Sequence, residues 1–303
     1  MSSLDDPRSD LQADFDSLRP GDSTAQGATR RTALKAALGV GYAAATLPIA
    51  AQTAITTSDD GLQAGPISYT VDGFKVPAYA AAPSGRTGLP VILVIQEIFG
   101  VHAYIADTCR RFAKLGYLAI APELYARQGD PRNYTEIPKL QSELVSTVPD
   151  AQVMADLDGA LRYAALNGGD VSKAGITGFC WGGRIVWLYA ATGKVKAGVA
   201  WYGRLVGQPS ENTPRHPVDV AATLKAPVLG LYGGKDQGIP LDTIDKVKSI
   251  LATGSDAARI SQFVVYPEAG HAFHADYRPS YLKEPAEDGW QRALAWFKAN
   301  GVA

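Results

Sequence analysis

Cys180 has a glycine two positions away on either side, in the stretch GFCWGG (178–183). The apolar segment AGITGF leads into this Gly-x-Cys-x-Gly pattern, and the helix-like segment WGGRIVWLYAAT follows it. At such a strand–turn–helix junction a nucleophile projects beyond the carboxyl end of a sheet, and the glycines let strand and helix pack closely. The helix N-terminus favours a thiolate, and the N–H of Trp181 can donate to an oxyanion. The pattern indicates a cysteine nucleophile, with a buried structural cysteine as the alternative.

An acid and then a histidine follow the cysteine along the chain, each just beyond an apolar segment. Asp236 ends GLYGGKD, and His271 lies in YPEAGHAFH. The order nucleophile, acid, histidine is that of α/β-hydrolases. We therefore predict a triad in which His271 takes the thiol proton and Asp236 orients the imidazole. Asp219 and Asp242 are rival acids, although neither directly follows a strand.

The elements that must position these residues alternate between strand-like and helix-like patterns. Continuous apolar runs indicate strands buried on both faces, at residues 90–100, 117–124, 174–179, 197–203, 226–234 and 260–270. Amphipathic segments indicate helices, at residues 103–117, 150–166, 241–253 and 285–301.

This alternation predicts an α/β protein with the α/β-hydrolase fold, in which helices flank a mostly parallel, doubly wound sheet. Residues 67–83 alternate around Asp72-Gly73 and predict a hairpin. Residues 125–149 interrupt the alternation and are a candidate cap element. We expect residues 55–303 to form one hydrolase domain.

The composition of the chain bears on its partners. The 303 residues are 46% hydrophobic and 19% charged, which indicates a globular domain with a substantial core. The formal net charge of −1 provides no basic surface for nucleic acid. His271 and His274 could share a metal ion, but no further ligand cluster accompanies them, so we expect no metal and no other cofactor. The oligomeric state, monomer or dimer, stays open.

The first 54 residues differ from the rest of the chain. Residues 1–28 are polar and predicted to be disordered. In residues 29–54, Arg30 and Arg31 precede an apolar run with small residues at its end, which resembles a twin-arginine export signal. We expect export to the periplasm without stable membrane association after cleavage, because the apolar run is shorter than the roughly 20 residues of a span. An amphipathic helix of a cytoplasmic protein is the alternative.

Five motifs together resemble the dienelactone hydrolase family. They are QEIFGV (96–101), PELYAR (122–127), GFCWGG, YGGKD and GHAF (270–273). The resemblance covers about residues 67–300. It implies an α/β-hydrolase that opens ester or lactone bonds through an acyl-enzyme on cysteine, with Cys180, His271 and Asp236 as its triad.

The resemblance assigns further residues around the cysteine. Glu97 matches a family glutamate that hydrogen-bonds the resting thiol and swings aside when substrate binds. A carboxylate there disfavours the thiolate by like-charge repulsion, so the resting Cys180 would resist oxidation. The backbone N–H of Ile98 would be the second oxyanion donor, beside that of Trp181. A plain surface loop is the alternative position for Glu97.

One departure concerns the substrate. In dienelactone hydrolase itself an arginine that closely follows GH-x-F binds the substrate carboxylate, and Ala275 stands at the matching place here. His102 follows the first buried strand and could line the cleft. Possible substrate contacts are Trp201, Tyr202, Arg204, His274 and Arg278. The aromatic residues could equally belong to the core, and the arginines to the surface.

We therefore predict an exported hydrolase that acts on a small ester or lactone through a cysteine acyl-enzyme. A general carboxylesterase or thioesterase with another substrate is the alternative, and a non-catalytic thiol sensor or binding module is a further one. The chain has one other cysteine, Cys109. A disulfide between Cys109 and Cys180 would contradict the nucleophile.

Overall fold

The computed structural model describes residues 54–303. The predicted disordered segment (1–28) and nearly all of the predicted signal segment (29–54) lie outside the described residues. Within residues 54–303, eight strands form one sheet in the order β1-β2-β4-β3-β5-β6-β7-β8. The strands are Leu62–Val71 (β1), Phe74–Pro83 (β2), Leu89–Ile95 (β3), Leu118–Pro122 (β4), Gly169–Phe179 (β5), Ala197–Trp201 (β6), Val228–Gly233 (β7) and Gln262–Tyr266 (β8).

Eight α-helices occur in the same range. They are Ala103–Lys114 (α1), Ile137–Glu143 (α2), Asp150–Leu166 (α3), Trp181–Ala190 (α4), Pro217–Val220 (α5), Leu241–Ala252 (α6), Asp256–Ile260 (α7) and Lys283–Ala299 (α8). None of these helices combines the length and the apolar character needed to cross a bilayer. Strands β3 to β8 run parallel to their neighbours within that set, while β2 is antiparallel to both β1 and β4. This arrangement confirms the predicted α/β-hydrolase fold.

The antiparallel edge of the sheet begins with the predicted hairpin. Asp72 and Gly73 join β1 to β2 with φ values of 49° and 80°. A two-residue turn with positive φ at both positions matches the twist of the flanking strands, and Asp-Gly suits it because glycine has no Cβ to clash. The hairpin therefore forms where the sequence predicts it.

Helices cover both faces of the sheet. A Cβ atom on Gly175 of β5 would lie 2.8 Å from Phe297 of α8, and one on Gly178 would lie 2.4 Å from the Gly182 carbonyl oxygen of α4. Odd and even positions of a strand point to opposite faces, so α8 and α4 lie on opposite sides of β5. Such burial on both faces explains why the central strands are continuous apolar runs.

The insertion at residues 125–149 contains α2 and two short 3₁₀ helices, Pro131–Asn133 and Val145–Thr147. Tyr125, at its beginning, packs edge-on against Trp181 with ring centroids 5.0 Å apart. The insertion therefore starts beside the cysteine-bearing turn. A capping role for it stays a prediction.

Candidate active site

Cys180 lies on the turn between β5 and α4. Its backbone has φ 55° and ψ −116°, a conformation that residues with a side chain rarely adopt. A Cβ on Gly182 would lie 2.5 Å from the Gln96 carbonyl oxygen, and one on Gly183 would lie 2.6 Å from that of Trp201. The glycines thus let α4 begin against the ends of β3 and β6, and this packing fixes the strained turn.

His271 and Asp236 reach the same end of the sheet from neighbouring loops. Asp236 follows β7, and His271 follows β8. The His271 Nδ1 donates to Asp236 Oδ2 over 2.7 Å, and both side chains are buried. Because Nδ1 is engaged by the carboxylate, Nε2 is left for the thiol.

The Cys180 side chain lies within hydrogen-bonding reach of His271. Burial by itself would lower the pKa of His271, but Asp236 and Cys180 outweigh burial and raise that pKa well above its ordinary value of 6.5. The raised pKa favours the protonated form of the imidazole. A protonated imidazole between a carboxylate and a sulfur can act as a general acid toward a group bound at the sulfur.

Two backbone N–H groups flank the cysteine. Trp181 is the first residue of α4, so its N–H has no acceptor within the helix. Ile98 follows the end of β3, where a Cβ on Gly182 would lie 2.6 Å from the Ile95 carbonyl oxygen. The start of α4 and the end of β3 are therefore in direct contact, as an oxyanion site built from both segments requires.

The Glu97 carboxylate is hydrogen-bonded to residues other than Cys180. The Tyr277 hydroxyl donates to Glu97 Oε2 over 2.7 Å, and His102 Nε2 lies 3.2 Å from the same oxygen. The other oxygen, Oε1, is buried without a hydrogen-bond partner. The resemblance implies a bond from the resting thiol to this carboxylate, whereas the structure has Tyr277 and His102 as its partners.

The charge of Glu97 is stabilised by these neighbours. Burial would raise the pKa of the carboxyl group, but His102, Arg278 and Tyr277 outweigh burial and hold the pKa below its ordinary value. Glu97 is also 1% exposed, which excludes the plain surface loop. The result is a buried, ionised carboxylate on the segment that follows β3.

Trp201 and His274 are both buried and hydrogen-bonded to other residues, and their role as substrate contacts stays a prediction. Trp201 is 1% exposed, and its indole N–H donates to Thr177 Oγ1 over 3.1 Å. His274 is 3% exposed, and a 2.6 Å hydrogen bond joins its Nδ1 to the Tyr104 hydroxyl. Burial, together with Arg111, lowers the pKa of His274 to about 3. A neutral, hydrogen-bonded imidazole is stable among aromatic rings, which is where this one packs.

Tyr202 is fully buried at the edge of the site. Its ring lies edge-on to His271 with centroids 5.2 Å apart. Its hydroxyl faces Tyr104 but meets no partner at hydrogen-bonding geometry. Tyr202 thus forms part of the wall beneath the imidazole.

The two arginines among the predicted contacts are both partly buried. Arg278 lies over the Phe99 ring at 5.2 Å, and its charge acts on Glu97. Arg204 lies on the segment that follows β6, and its charge acts on His216. Arg278 therefore reaches the neighbourhood of Glu97.

Both cysteines of the chain are free thiols. Cys109 is fully buried in α1, and burial raises its pKa. In the part of the chain from residue 54 onward, no group of three or more His, Cys, Asp or Glu side chains is arranged to hold a metal ion. Cys180 is thus the more accessible thiol.

Residues 76–301 match the dienelactone hydrolase family. The chain belongs to this family. A Methylorubrum extorquens protein named "Putative carboxymethylenebutenolidase" is 59% identical over 277 residues, covering 91% of this chain and 94% of that protein. An Escherichia coli protein of the same name is 55% identical over 263 residues, covering 86% of this chain and 96% of that protein. A "Putative Dienelactone Hydrolase" from Klebsiella pneumoniae, known from a crystal structure, has 58% sequence identity to this chain. The two structures superpose with a TM-score of 0.76, and the match covers 78% of this chain and 98% of that chain.

Membership of the dienelactone hydrolase family makes this protein a hydrolase of that type, and a small-molecule substrate is consistent with it. Sequence reasoning missed two tyrosines of the site. Tyr277 lies four residues beyond GHAF (270–273), and Tyr125 is part of PELYAR (122–127). Their nearness to these motifs was the available signal. No local pattern shows that Tyr277 contacts Glu97, which is 180 positions away.

Proposed function

We propose that this dienelactone hydrolase family member cleaves a small ester or lactone through a thioester on Cys180. The observation that carries the proposal is the placement of Cys180 on a strained turn, within reach of an imidazole that donates to Asp236 over 2.7 Å. A strained backbone at such a position is a mark of a functional residue, and the three side chains come from three different loops.

The reaction proceeds in two halves. The Cys180 thiol gives its proton to His271 as the sulfur attacks the carbonyl carbon, and the N–H groups of Ile98 and Trp181 bind the resulting oxyanion. Collapse breaks the bond to the leaving oxygen, which takes a proton from His271, while Asp236 stabilises the imidazolium beforehand. A water molecule then loses a proton to His271, attacks the thioester carbon and releases the acid and the sulfur. In a lactone, the leaving alcohol stays attached to the acid.

Hydrolysis of a short-chain p-nitrophenyl ester and of a small lactone tests this proposal. Cys180→Ala should lower kcat/KM by at least about 10³-fold, because the attacking atom is removed. Cys109→Ala is the matched control and should retain activity, since Cys109 is buried in α1. Equal turnover by the wild type and Cys180→Ala would refute the mechanism.

A general carboxylesterase or thioesterase is the second candidate, and Ala275 favours it. Ala275 is fully buried, and its methyl group offers no charge to a substrate carboxylate. A higher kcat/KM on uncharged linear esters or thioesters than on carboxylate-bearing lactones would support this candidate. Absence of turnover on all three classes, with rapid peroxide oxidation of Cys180, would support a thiol sensor instead.

We also propose that the protein is exported to the periplasm by the twin-arginine route. Arg30 and Arg31, followed by a weakly apolar run, support this. Replacing both arginines by lysine should leave the protein in the cytoplasmic fraction. An unchanged location of the double variant would argue against that route.

A further inference from the structure

Two segments at the carboxyl edge of the sheet start on opposite sides of the strand that leads to Cys180. One is the insertion at residues 125–149, after β4, and the other is residues 204–216, after β6. In the sheet, β3 and β5 lie between β4 and β6, so the two segments start from strands about 14 Å apart. Cys180 directly follows β5. The two segments therefore flank the candidate nucleophile.

Despite this separation at their origins, the two segments are hydrogen-bonded to each other. The N–H of Asp150, which ends the insertion, donates to the Asn212 carbonyl oxygen over 2.8 Å. The Asn212 side-chain amide in turn donates to the Ser146 carbonyl oxygen over 3.0 Å. Because these bonds run in both directions, neither segment can move away from the other without breaking them.

Arg184 of α4 fastens this junction to the helix that follows the cysteine. Its guanidinium group donates to both carboxylate oxygens of Asp150 over 2.7 Å each, and to the Arg215 carbonyl oxygen over 2.6 Å. Its Nε donates to His216 Nδ1 over 3.3 Å. Burial lowers the pKa of His216, so its neutral ring can accept this bond. Arg184 is 5% exposed and Asp150 8%, so the ion pair is shielded from water.

The junction is close to the candidate nucleophile along α4. The backbone N–H of Arg184 donates to the Cys180 carbonyl oxygen over 3.4 Å. At the other end of the insertion, Tyr125 packs edge-on against Trp181 with ring centroids 5.0 Å apart. The insertion is therefore fastened to the first turn of α4 at its beginning, through Tyr125, and at its end, through Asp150.

We propose that residues 125–149 and 204–216 form one substrate-selecting wall beside Cys180, and that the ion pair of Arg184 and Asp150 clamps this wall. The inference rests on the proposed hydrolytic function. A buried ion pair often adds little net stability compared with apolar packing, whereas a bidentate pair fixes the geometry of the segments that it joins. Arg184 and Asp150 are positioning residues, because they act on substrate through the wall. A clamped wall gives a cleft of fixed width, which favours short acyl chains over long ones.

The ratio of kcat/KM for p-nitrophenyl octanoate to kcat/KM for p-nitrophenyl acetate tests this selection. Asp150→Asn removes the charge and one of the two acceptor oxygens, and it should raise the ratio about fivefold. Arg184→Lys should act in the same direction, because an ammonium group cannot make the paired bonds of a guanidinium group. A loss of folded protein would lower both rates equally and leave the ratio unchanged.

Asp158→Asn is the matched control for this assay. Asp158 also joins α3 to α4, since it accepts from the Tyr189 hydroxyl over 2.9 Å, but it lies farther along α3 from the insertion. This variant should keep the wild-type ratio. An unchanged ratio in Asp150→Asn, or an equal rise in Asp158→Asn, would overturn the selecting role.

Amide hydrogen exchange tests whether the two segments form one wall. Asp150→Asn should speed exchange about tenfold in both 125–149 and 204–216, because the clamp holds both. Faster exchange in one segment alone, or in neither, would overturn the proposal. Should Asp150→Asn fail to fold, Asn212→Ala is held to the same expectations, since it removes only the side-chain bond to the Ser146 carbonyl oxygen.

This proposal and the proposed function fail in different ways. If the wild type hydrolyses no ester, thioester or lactone, the proposed function fails, and coupled exchange of the two segments still upholds the joined wall. If hydrolysis depends on Cys180 but the ratio and the exchange rates of Asp150→Asn match those of the wild type, the wall is overturned and the proposed function stands.

Discussion

Replacing Asp236 by asparagine should destabilise the protein most at mildly acidic pH. The buried Asp236 carboxylate accepts from His271 Nδ1 over 2.7 Å and helps to raise the pKa of His271 well above 6.5. Asparagine keeps the shape and one acceptor oxygen but removes the negative charge. The buried imidazolium would then lose the carboxylate that balances its charge.

The magnitude follows from the two parts of this interaction. Removing one partner of a buried ion pair lowers the free energy of unfolding by about 3–5 kcal/mol. When the imidazole is neutral, the substitution lowers the free energy of unfolding much less, because the imidazole can still donate to the asparagine oxygen. A neutral hydrogen bond contributes only about 1 kcal/mol. We therefore expect a loss of about 3 kcal/mol where His271 is protonated and about 1 kcal/mol where it is neutral.

The sign of the pH dependence follows from the raised pKa of His271. In the unfolded chain the imidazole titrates near 6.5. The stabilisation from the raised pKa is therefore complete below that pH, as long as Asp236 is ionised, and is lost as the pH rises through the folded pKa. The difference in unfolding free energy between the wild type and Asp236→Asn should therefore be largest at and below the unfolded pKa of 6.5, and should shrink as the pH rises through the folded pKa of His271.

Urea unfolding of both proteins at several pH values measures this difference directly. In parallel, ester hydrolysis by Asp236→Asn should fall by about 10²–10⁴-fold, since the imidazole loses its orienting partner. A difference in unfolding free energy that is constant with pH, or that grows toward alkaline pH, would refute the assignment of a protonated His271 paired with Asp236.

Two further predictions follow from close contacts elsewhere. Gly182→Ala should lower the free energy of unfolding by about 1–3 kcal/mol and should reduce the rate of ester hydrolysis more strongly than it reduces stability. The reason is that the added Cβ would lie 2.5 Å from the Gln96 carbonyl oxygen in rigid backbone. Gly270→Ala, whose added Cβ would meet nothing within 4 Å, is the control in urea unfolding. Asp107→Asn should speed proteolysis near residue 57, because the buried Asp107 carboxylate accepts from the Thr57 N–H over 2.6 Å. If mass spectrometry shows an unchanged rate of cleavage there, this bond does not anchor the segment.

The fold could be predicted because its determinants are local. A strand buried on both faces must be continuously apolar, and Leu89–Ile95 is such a run. The hairpin turn is set by two adjacent residues, Asp72 and Gly73, whose positive φ values need little steric compensation. The boundaries were less exact: β5 begins at Gly169 rather than at Ala174, because its first residues are paired with the start of β3 although they are polar.

The candidate site was predictable where position along a strand determines position in space. Cys180, Asp236 and His271 each follow a parallel strand, and the carboxyl ends of parallel strands meet at one edge of the sheet. Burial of individual aromatic residues was not predictable in this way. Trp201 ends a strand and His274 lies in a loop, yet both pack in the core because α1 and α8 close over them.

The sequence by itself determined the fold class, the turn that carries Cys180 and the family to which the chain belongs, since each depends on short patterns of residue type. Only the tertiary structure decided the partners of Glu97. Tyr277 is 180 positions away and reaches Glu97 because the loop after β8 returns over the end of β3. Side-chain contacts of that kind depend on the packing of distant segments, and residue type and spacing along the chain do not encode them.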